Sequence, residues 1–277
     1  VAWKGCKKEG APTVMIAAHM DEVGFMVQYV RDDGLIRYMT VGGIDPAVCV
    51  GKRVLVGKTR VPGVIGCKAV HLQERDERTR ALKHSQLYIE RGARDRDDAL
   101  KAVSIGDYAV FDSDYVEFGR GFVKSRALDD RVGCAVMLEL LKHDYPCNVA
   151  FAFNVQEEVG LRGAMATAFR VQPACAIILE GTTANDTIGA RVHEEICSAG
   201  KGPALSFMDR ASIAHPGLFA RMRALAQERN IPWQLKRGTT GGNDAGSIQR
   251  SQGGVATVVV SVPCRYIHGP SSVCALS

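Results

Sequence analysis

Nine cysteines are scattered through this 277-residue chain without one Cys-x-x-Cys pair, and their odd number leaves at least one unmatched. That pattern argues against a disulfide framework and against a thiolate zinc site. Cys134 and Cys175 lie inside apolar stretches and read as small buried hydrophobes. Long apolar runs are also missing: none approaches the ~18 residues a membrane helix needs. No signal peptide is visible, nor any internal repeat or low-complexity tract. A strong charge bias is absent too. The net charge is +5, and acids from Glu74 to Asp98 dilute the densest basic stretch, Arg75 to Lys101. This describes a solvated surface and excludes a nucleic-acid groove. The expectation is a protein of the reducing cytoplasm that binds neither membrane nor nucleic acid. The chain begins at Val1 rather than Met, so the native start is expected upstream.

The composition, 46% hydrophobic and 23% charged, is that of an ordinary globular protein. Val14–Ala18 is a short continuous apolar run, the mark of a buried strand, and it delivers His19-Met-Asp21 at its carboxyl end. A β-rich region follows. Gly24–Val30 and Leu35–Val41 flank Arg31-Asp-Asp-Gly34, a hairpin signal. Further short runs at Arg53–Val56, Val61–Gly66 and Tyr108–Phe111, punctuated by Gly and Pro, complete what reads as a small barrel or sandwich. From about Arg131 the pattern changes to helices alternating with strands. Helices are expected after Arg131, over Arg162–Phe169 and over Leu218–Arg229, and strands at Val149, Ala174–Leu179 and Gly254–Ser261. This is the signature of an α/β protein with a largely parallel core sheet, whose sites form outside the carboxyl ends of the strands.

Five elements there carry candidate chemistry. His19-x-Asp21 offers an imidazole with a carboxylate able to fix its tautomer. Asp129-Asp130 stands just before a helix, where either acid could cap the helix or bridge two cations. Glu157-Glu158 leaves an apolar strand and precedes Gly160; two adjacent carboxylates at a strand exit point to different sides, so one can hold a metal while the other acts as a base. Glu180 ends the run Ile177-Ile-Leu179, and His268 closes the last strand region. Each alone reads equally as surface or cap. Jointly, hard carboxylates and imidazoles suit zinc, cobalt or manganese. Two such ions ~3.5–4 Å apart can share a carboxylate and a water, and lower that water's pKa toward ~7. Glu157 would then carry the proton to a leaving amine.

The stretches His19-Met-Asp-Glu-Val-Gly24, Val41-Gly-Gly-Ile44, Gly63-Val-Ile-Gly66 with His71-Leu72, Ala127-Leu-Asp-Asp-Arg131, Val155-Gln-Glu-Glu-Val-Gly160, Gly241-Gly-Asn-Asp-Ala-Gly246 and Arg265-Tyr-Ile-His268 together resemble the tetrahedral (TET), glutamyl-aminopeptidase-like metallopeptidases, some of which are labelled endoglucanases. The resemblance runs in the family's order over nearly the whole chain. It implies a phosphorylase/hydrolase-like α/β catalytic domain over residues 1–23 and 119–277, with an inserted PDZ-like β-barrel over 24–118 that serves dimerisation. It implies that His19, Asp129 and Glu180 hold one divalent metal and that Asp129, Glu158 and His268 hold the other. Asp21 would orient His19, and Glu157 would be the general base. Asp129 is chosen over Asp130 because in the related pattern the first aspartate bridges and the next peptide bond is cis. The expected cofactors are two zinc or cobalt ions, with manganese as a further option. The expected partners are short peptides and other copies of the chain, from a dimer to a dodecamer.

The chain departs from the family pattern at Glu180, where many relatives carry Asp, at Asn243, where Thr is usual, and at Ile188, where Pro is usual. Gly242, Asn243 and Arg265 are the expected substrate-side residues, and Arg265 or Lys236 could favour acidic N-terminal residues. Both ends look short against the family, which implies a fragment, an incompletely predicted chain or a degenerate copy. The leading reading is an aminopeptidase. A deacylase, a carboxypeptidase or, more remotely, a glucanase would keep the metals and change the substrate, and a non-catalytic assembly protein would keep only the fold.

Overall fold

The computed structural model describes residues 1–276. In chain order the strands are β1 (Ala2–Lys4), β2 (Thr13–His19), β3 (Gly24–Val30), β4 (Ile36–Val41), β5 (Arg53–Val56), β6 (Val61–Gly66), β7 (Tyr88–Glu90) and β8 (Tyr108–Phe111). They continue with β9 (Val116–Phe118), β10 (Phe122–Ser125), β11 (Asn148–Asn154), β12 (Cys175–Thr183), β13 (Ala204–Ser206), β14 (Gln234–Lys236), β15 (Ala256–Arg265) and β16 (Ser272–Ala275). The helices are α1 (Arg96–Leu100), α2 (Leu128–Leu140), α3 (Arg162–Val171), α4 (Pro216–Glu228) and α5 (Ala245–Ile248). The chain divides into two compact units, one of residues 1–22, 116–267 and 272–277, the other of 23–115 and 268–271.

The first unit is built on a mixed sheet in the order β1-β11-β2-β12-β15-β16-β10-β9, with β13 pairing with β15 and β14 pairing with β13. Its centre is parallel, since β11, β2, β12 and β15 all run the same way. Alternation decides which side chains meet which helix. Met15 and Ala17 of β2 face the same way as Ala150 and Ala152 of β11, and join Ala164 and Ala168 of α3 and Ile248 of α5 in one core. Ile16 and Ala18 face the opposite way and pack with Phe151, and with Cys134 and Met137 of α2. The alanines of the first face let α3 lie close to the sheet. No helix among the described residues is long and apolar enough to cross a membrane.

Three elements differ most from the expectation. Strand β12 runs on to Thr183 rather than ending at Leu179, so Glu180 lies inside it. The last long strand extends to Arg265 rather than stopping at Ser261, although Pro263 lies inside it. Proline is tolerated because β13 pairs with β15 only at Val259–Ser261 and β16 only at Cys264 and Arg265, so Pro263 falls between them. Helix α2 starts at Leu128, and Asp129 and Asp130 inside it have non-helical backbone angles.

The second unit is a closed antiparallel barrel in the order β3-β4-β7-β6-β5-β8. The β3–β4 hairpin turns at Gly34, whose φ of 79° is open to glycine, while the Asp33 carboxylate holds Arg31 and the Leu35 amide. Every second residue of the strands points inward. Phe25, Val27, Ile36, Tyr38, Val54, Val56, Ile65, Ile89 and Phe111 fill the interior. Phe25 meets Tyr38 and Phe111 edge-on at 4.7 and 5.2 Å between centroids, a favoured aromatic geometry.

Candidate metal centre

Three parallel strands of the first unit lie side by side, and each carries an acid or an imidazole in or just beyond its carboxyl-terminal half. His19 is the last residue of β2, and its register partner on β11 is Asn154, whose carbonyl accepts the Met20 amide at 2.8 Å. The chain leaves β11 through Val155 and then Gln156, which has a φ of 60°, to present Glu157 and Glu158. Glu180 lies within β12 opposite Ser261.

His19 is buried, with 1% of its surface exposed. Its Nδ1 lies 3.1 Å from the Asp21 carbonyl oxygen, to which it donates, so the lone pair is on Nε2. That Nε2 stands 3.3 Å from Asp129 Oδ1, 3.3 Å from Glu180 Oε1 and 3.9 Å from Glu157 Oε2. A charge-assisted N–H···O bond would be ~2.7–2.9 Å long. Donors about 2.0 Å from a tetrahedral cation lie about 3.3 Å apart. The two closest separations match the edge of a coordination tetrahedron better than they match direct hydrogen bonds.

Charge leads to the same conclusion. Glu180 is almost wholly buried, and its Oε2 has no hydrogen-bond partner among the described residues. Burial, followed by the charge of Asp130, holds its carboxyl well above the ordinary range. Burial and then the charge of Glu180 push Glu157 up to about 9. For His19 burial opposes the charged form, but Asp129, Asp21 and Glu180 outweigh it and raise the imidazole far above its usual value. Several buried acids around one imidazole call for positive charge, and divalent cations supply it. His19, Glu157 and Glu180 each offer one atom within 4.8 Å of the others, and so do Asp129, Asp130 and Glu180. Asp129 and Glu158 likewise offer atoms within 4.8 Å of each other. The residues therefore fit divalent metal.

The two aspartates before α2 are separated by the structure. The peptide bond between Asp129 and Asp130 is cis, as the resemblance implies. Asp129 turns its carboxylate toward His19 and Glu180. Asp130, fully buried, accepts from the His19 amide with Oδ2 and from the Gly133 amide with Oδ1, which ties the end of β2 to the first turn of α2. A Cβ on Gly181 would stand 2.9 Å from Asp129 Cα, so glycine after Glu180 is what lets Asp129 approach.

Asp21 does more than touch His19. Its two carboxylate oxygens accept the backbone N–H groups of Glu157 and Glu158, each at 3.2 Å. Nothing in the sequence shows this contact, which spans more than a hundred residues. Asp244 was also missed. It is buried, its Oδ2 accepts from Asn154 Nδ2 at 2.8 Å, and its Oδ1 has no hydrogen-bond partner among the described residues. Burial pushes it up to about 6, and its charge is felt at Glu157. An acid inside Gly241-Gly-Asn-Asp-Ala-Gly246 reads as a helix cap, and only a buried neighbour such as Asn154 distinguishes it.

The remaining expected residues occupy varied places. Asn243 is buried, with Nδ2 donating to Asp209 and Oδ1 accepting from the Ala245 amide. Gly242 packs against Ala211, whose Cβ would be 2.9 Å from a Cβ there. Arg265 makes a two-pronged ion pair with Asp186 at 2.8 and 2.7 Å and covers the Phe122 ring. His268 belongs to the 268–271 segment of the second unit, and its Nδ1 donates to the Gly43 carbonyl at 2.7 Å.

Comparison with known proteins agrees with this geometry. The M42 glutamyl aminopeptidase family model matches residues 1–277. A protein of Acetivibrio thermocellus, provisionally named an aminopeptidase, is 41% identical over 98% of this chain and 80% of its own length. The crystal structure of a TET aminopeptidase from a marine-sediment archaeon of the Thaumarchaeota superposes with a TM-score of 0.93 at 34% identity, over 98% of this chain and 78% of that one. The TET1 peptidase of Pyrococcus horikoshii, which can assemble into a tetrahedron or a large octahedral shell, gives 0.84 at 32% identity over 99% and 81%. With its strand-end acids clustered as described, the chain belongs to the M42 glutamyl aminopeptidase family and is a metal-dependent aminopeptidase.

Proposed function

We propose that this aminopeptidase works with two divalent cations, zinc or cobalt in the first instance and manganese as the alternative. His19, Asp129 and Glu180 would hold one; Asp129, Glu158 and His268 would hold the other. The observation that carries this reading is the placing of Asp129 and Glu180 oxygens each 3.3 Å from His19 Nε2. The Nδ1–carbonyl bonds of His19 and His268 leave Nε2 as the ligating nitrogen of each ring.

When bound, the cations supply Lewis acidity, polarising the scissile carbonyl and making water acidic enough to lose a proton near pH 7. Glu157 accepts that proton on its carboxylate and delivers it to the departing amine. Asp21 fixes the backbone of Glu157 and Glu158 together, so the base keeps its position relative to the ligand. Asp130 holds the His19 backbone against α2. On the substrate side, Gly242, Asn243 and Arg265 act as positioning residues: Asn243 steadies the loop at Asp209, and Arg265 steadies Asp186.

The substrates are short peptides with a free N-terminus. The β-barrel serves dimerisation, and dimers build a larger closed assembly of up to a dodecamer; the resemblance and the assembling relative support this. Nine unpaired cysteines support a reducing, cytoplasmic setting.

Glu157→Gln tests the mechanism. Turnover of aminoacyl-nitroanilides should fall by ~10²–10⁴-fold while bound metal stays near two ions per chain. Full activity in this variant would overturn the assignment of the base. Fewer than about one ion per chain in the unaltered protein after reconstitution would overturn the two-metal centre.

A further inference from the structure

Cys264 and Cys274 take no part in this chemistry, yet they are directly opposed across the antiparallel β15–β16 pair. Both are buried, and both belong to one small core with Val123 and Leu128. Directly opposed residues in antiparallel strands have Cβ atoms about 4.5–5.5 Å apart on the same face of the sheet. A disulfide needs Cβ atoms about 3.5–4.5 Å apart and Cα atoms about 4.4–6.8 Å apart, which a small closure of the strand pair achieves. Each thiol is close enough to the other to shift its acidity. The residues between them form the loop that carries His268, and in it Tyr266 and His268 hold φ angles of 56° and 58°, uncommon for residues with a side chain. Cys264 and Cys274 therefore stand at the neck of that loop.

We propose that Cys264 and Cys274 are a reversible dithiol–disulfide couple that clasps the neck of the His268 loop when the protein meets a peroxide.

The influence of Cys274, with burial behind it, holds the Cys264 thiol well above the ordinary range, while that of Cys264 lowers Cys274. Cys274 is thus the more readily ionised of the two and the attacking sulfur. Its thiolate takes one oxygen of hydrogen peroxide, the O–O bond breaks, and the departing hydroxide gains a proton to leave as water. The Cys264 sulfur then displaces the hydroxyl from the sulfenic acid, and its own thiol proton leaves with that hydroxyl as a second water. Two thiols and one peroxide give one disulfide and two waters, two electrons passing from sulfur to oxygen. Access for the small oxidant comes from local opening between β15 and β16, which pair at only two register positions, Cys264–Cys274 and Arg265–Val273, while β10 keeps its four positions on the other side of β16.

The chain supplies its own assay, because trypsin cuts after Arg265 and so separates the two cysteines. The unaltered protein is treated with a few equivalents of hydrogen peroxide, alkylated and digested without reductant. Most molecules should yield the peptide Ser251–Arg265 joined to Tyr266–Ser277, and dithiothreitol should abolish the joined species. Recovery of both peptides separately alkylated or over-oxidised would overturn the couple, as would Cys264 joined to another cysteine. In the linked protein, amide exchange across residues 266–273 should slow at least about threefold. Unchanged exchange there would overturn the clasp. Neither readout depends on His268 being a metal ligand, so the couple can fail or stand apart from the two-metal reading.

Discussion

The two cores of this chain are filled in opposite ways. The barrel is packed with large side chains such as Phe25, Tyr38, Ile36 and Phe111, while one face of the big sheet is packed with Ala17, Ala150, Ala152, Ala164, Ala168 and Ala176. Large side chains bury more apolar surface per residue, so the barrel holds itself together by burial alone. Small side chains bury less but let α3 and the sheet approach closely. The charged strand ends belong to the alanine-lined unit, where a cluster of acids opposes folding until cations neutralise it. Stability without chemistry on one side, and chemistry at the expense of stability on the other, is the lesson of the contrast.

Four experiments would break or sharpen it. Phe25→Ala should cost the most, ~3–5 kcal/mol, because it leaves a cavity between Tyr38 and Phe111. Denaturant melts would show this, and a loss under about 1 kcal/mol would mean that the barrel interior is not the stabilising core described. Gly181→Ala should move Asp129 and lower kcat/KM by ~10²-fold, about 2.7 kcal/mol, with reduced metal content and a lowered melting temperature. Ala168→Leu should destabilise by ~1–3 kcal/mol through overpacking between α3 and the sheet. If this substitution is neutral, the alanine face is looser than its burial indicates.

The smallest effect is a proton count. Burial and neighbouring charge raise Glu157 to about 9, and His19 is raised as well, so both hold protons near neutral pH before metal binds. Binding cations must displace those protons, so metal affinity should increase as pH rises through the neutral range. Titration calorimetry in buffers of different ionisation enthalpy would report about one or two protons released per chain. Affinity independent of pH would contradict the cation-neutralised cluster.

How much of this could be read in the sequence depended on the range of each interaction. His19 was legible because a buried strand ending in a ligand-type residue is a local signal, and Glu180 because an acid directly after the apolar run Ile177–Leu179 stands out, although β12 continues past it to Thr183. Glu157 and Glu158 were legible for the same reason, with Gly160 marking the bend. The barrel was legible from short β-prone runs and the Asp-Gly turn. Asp129 and Asp130 could not be told apart from the residues alone, since both readings, cap and ligand, were chemically sound. The structure uses both: one acid faces His19 and Glu180, and the other ties the first turn of α2 to the end of β2. The second contact of Asp21 and the place of Asp244 were not legible because their partners, the Glu157 and Glu158 amides and the Asn154 amide group, lie far away in sequence. Pro263 misplaced the end of β15 because a proline's tolerance depends on which neighbouring strands are present.

The grip of the Asp21 carboxylate on two consecutive amides makes Glu157, the proposed proton carrier, and Glu158, the proposed ligand, a single mechanical part. No rearrangement of that turn can bring one glutamate forward without carrying the other along. Laboratory attempts to retune this site will therefore find Glu157 and Glu158 inseparable while Asp21 is intact.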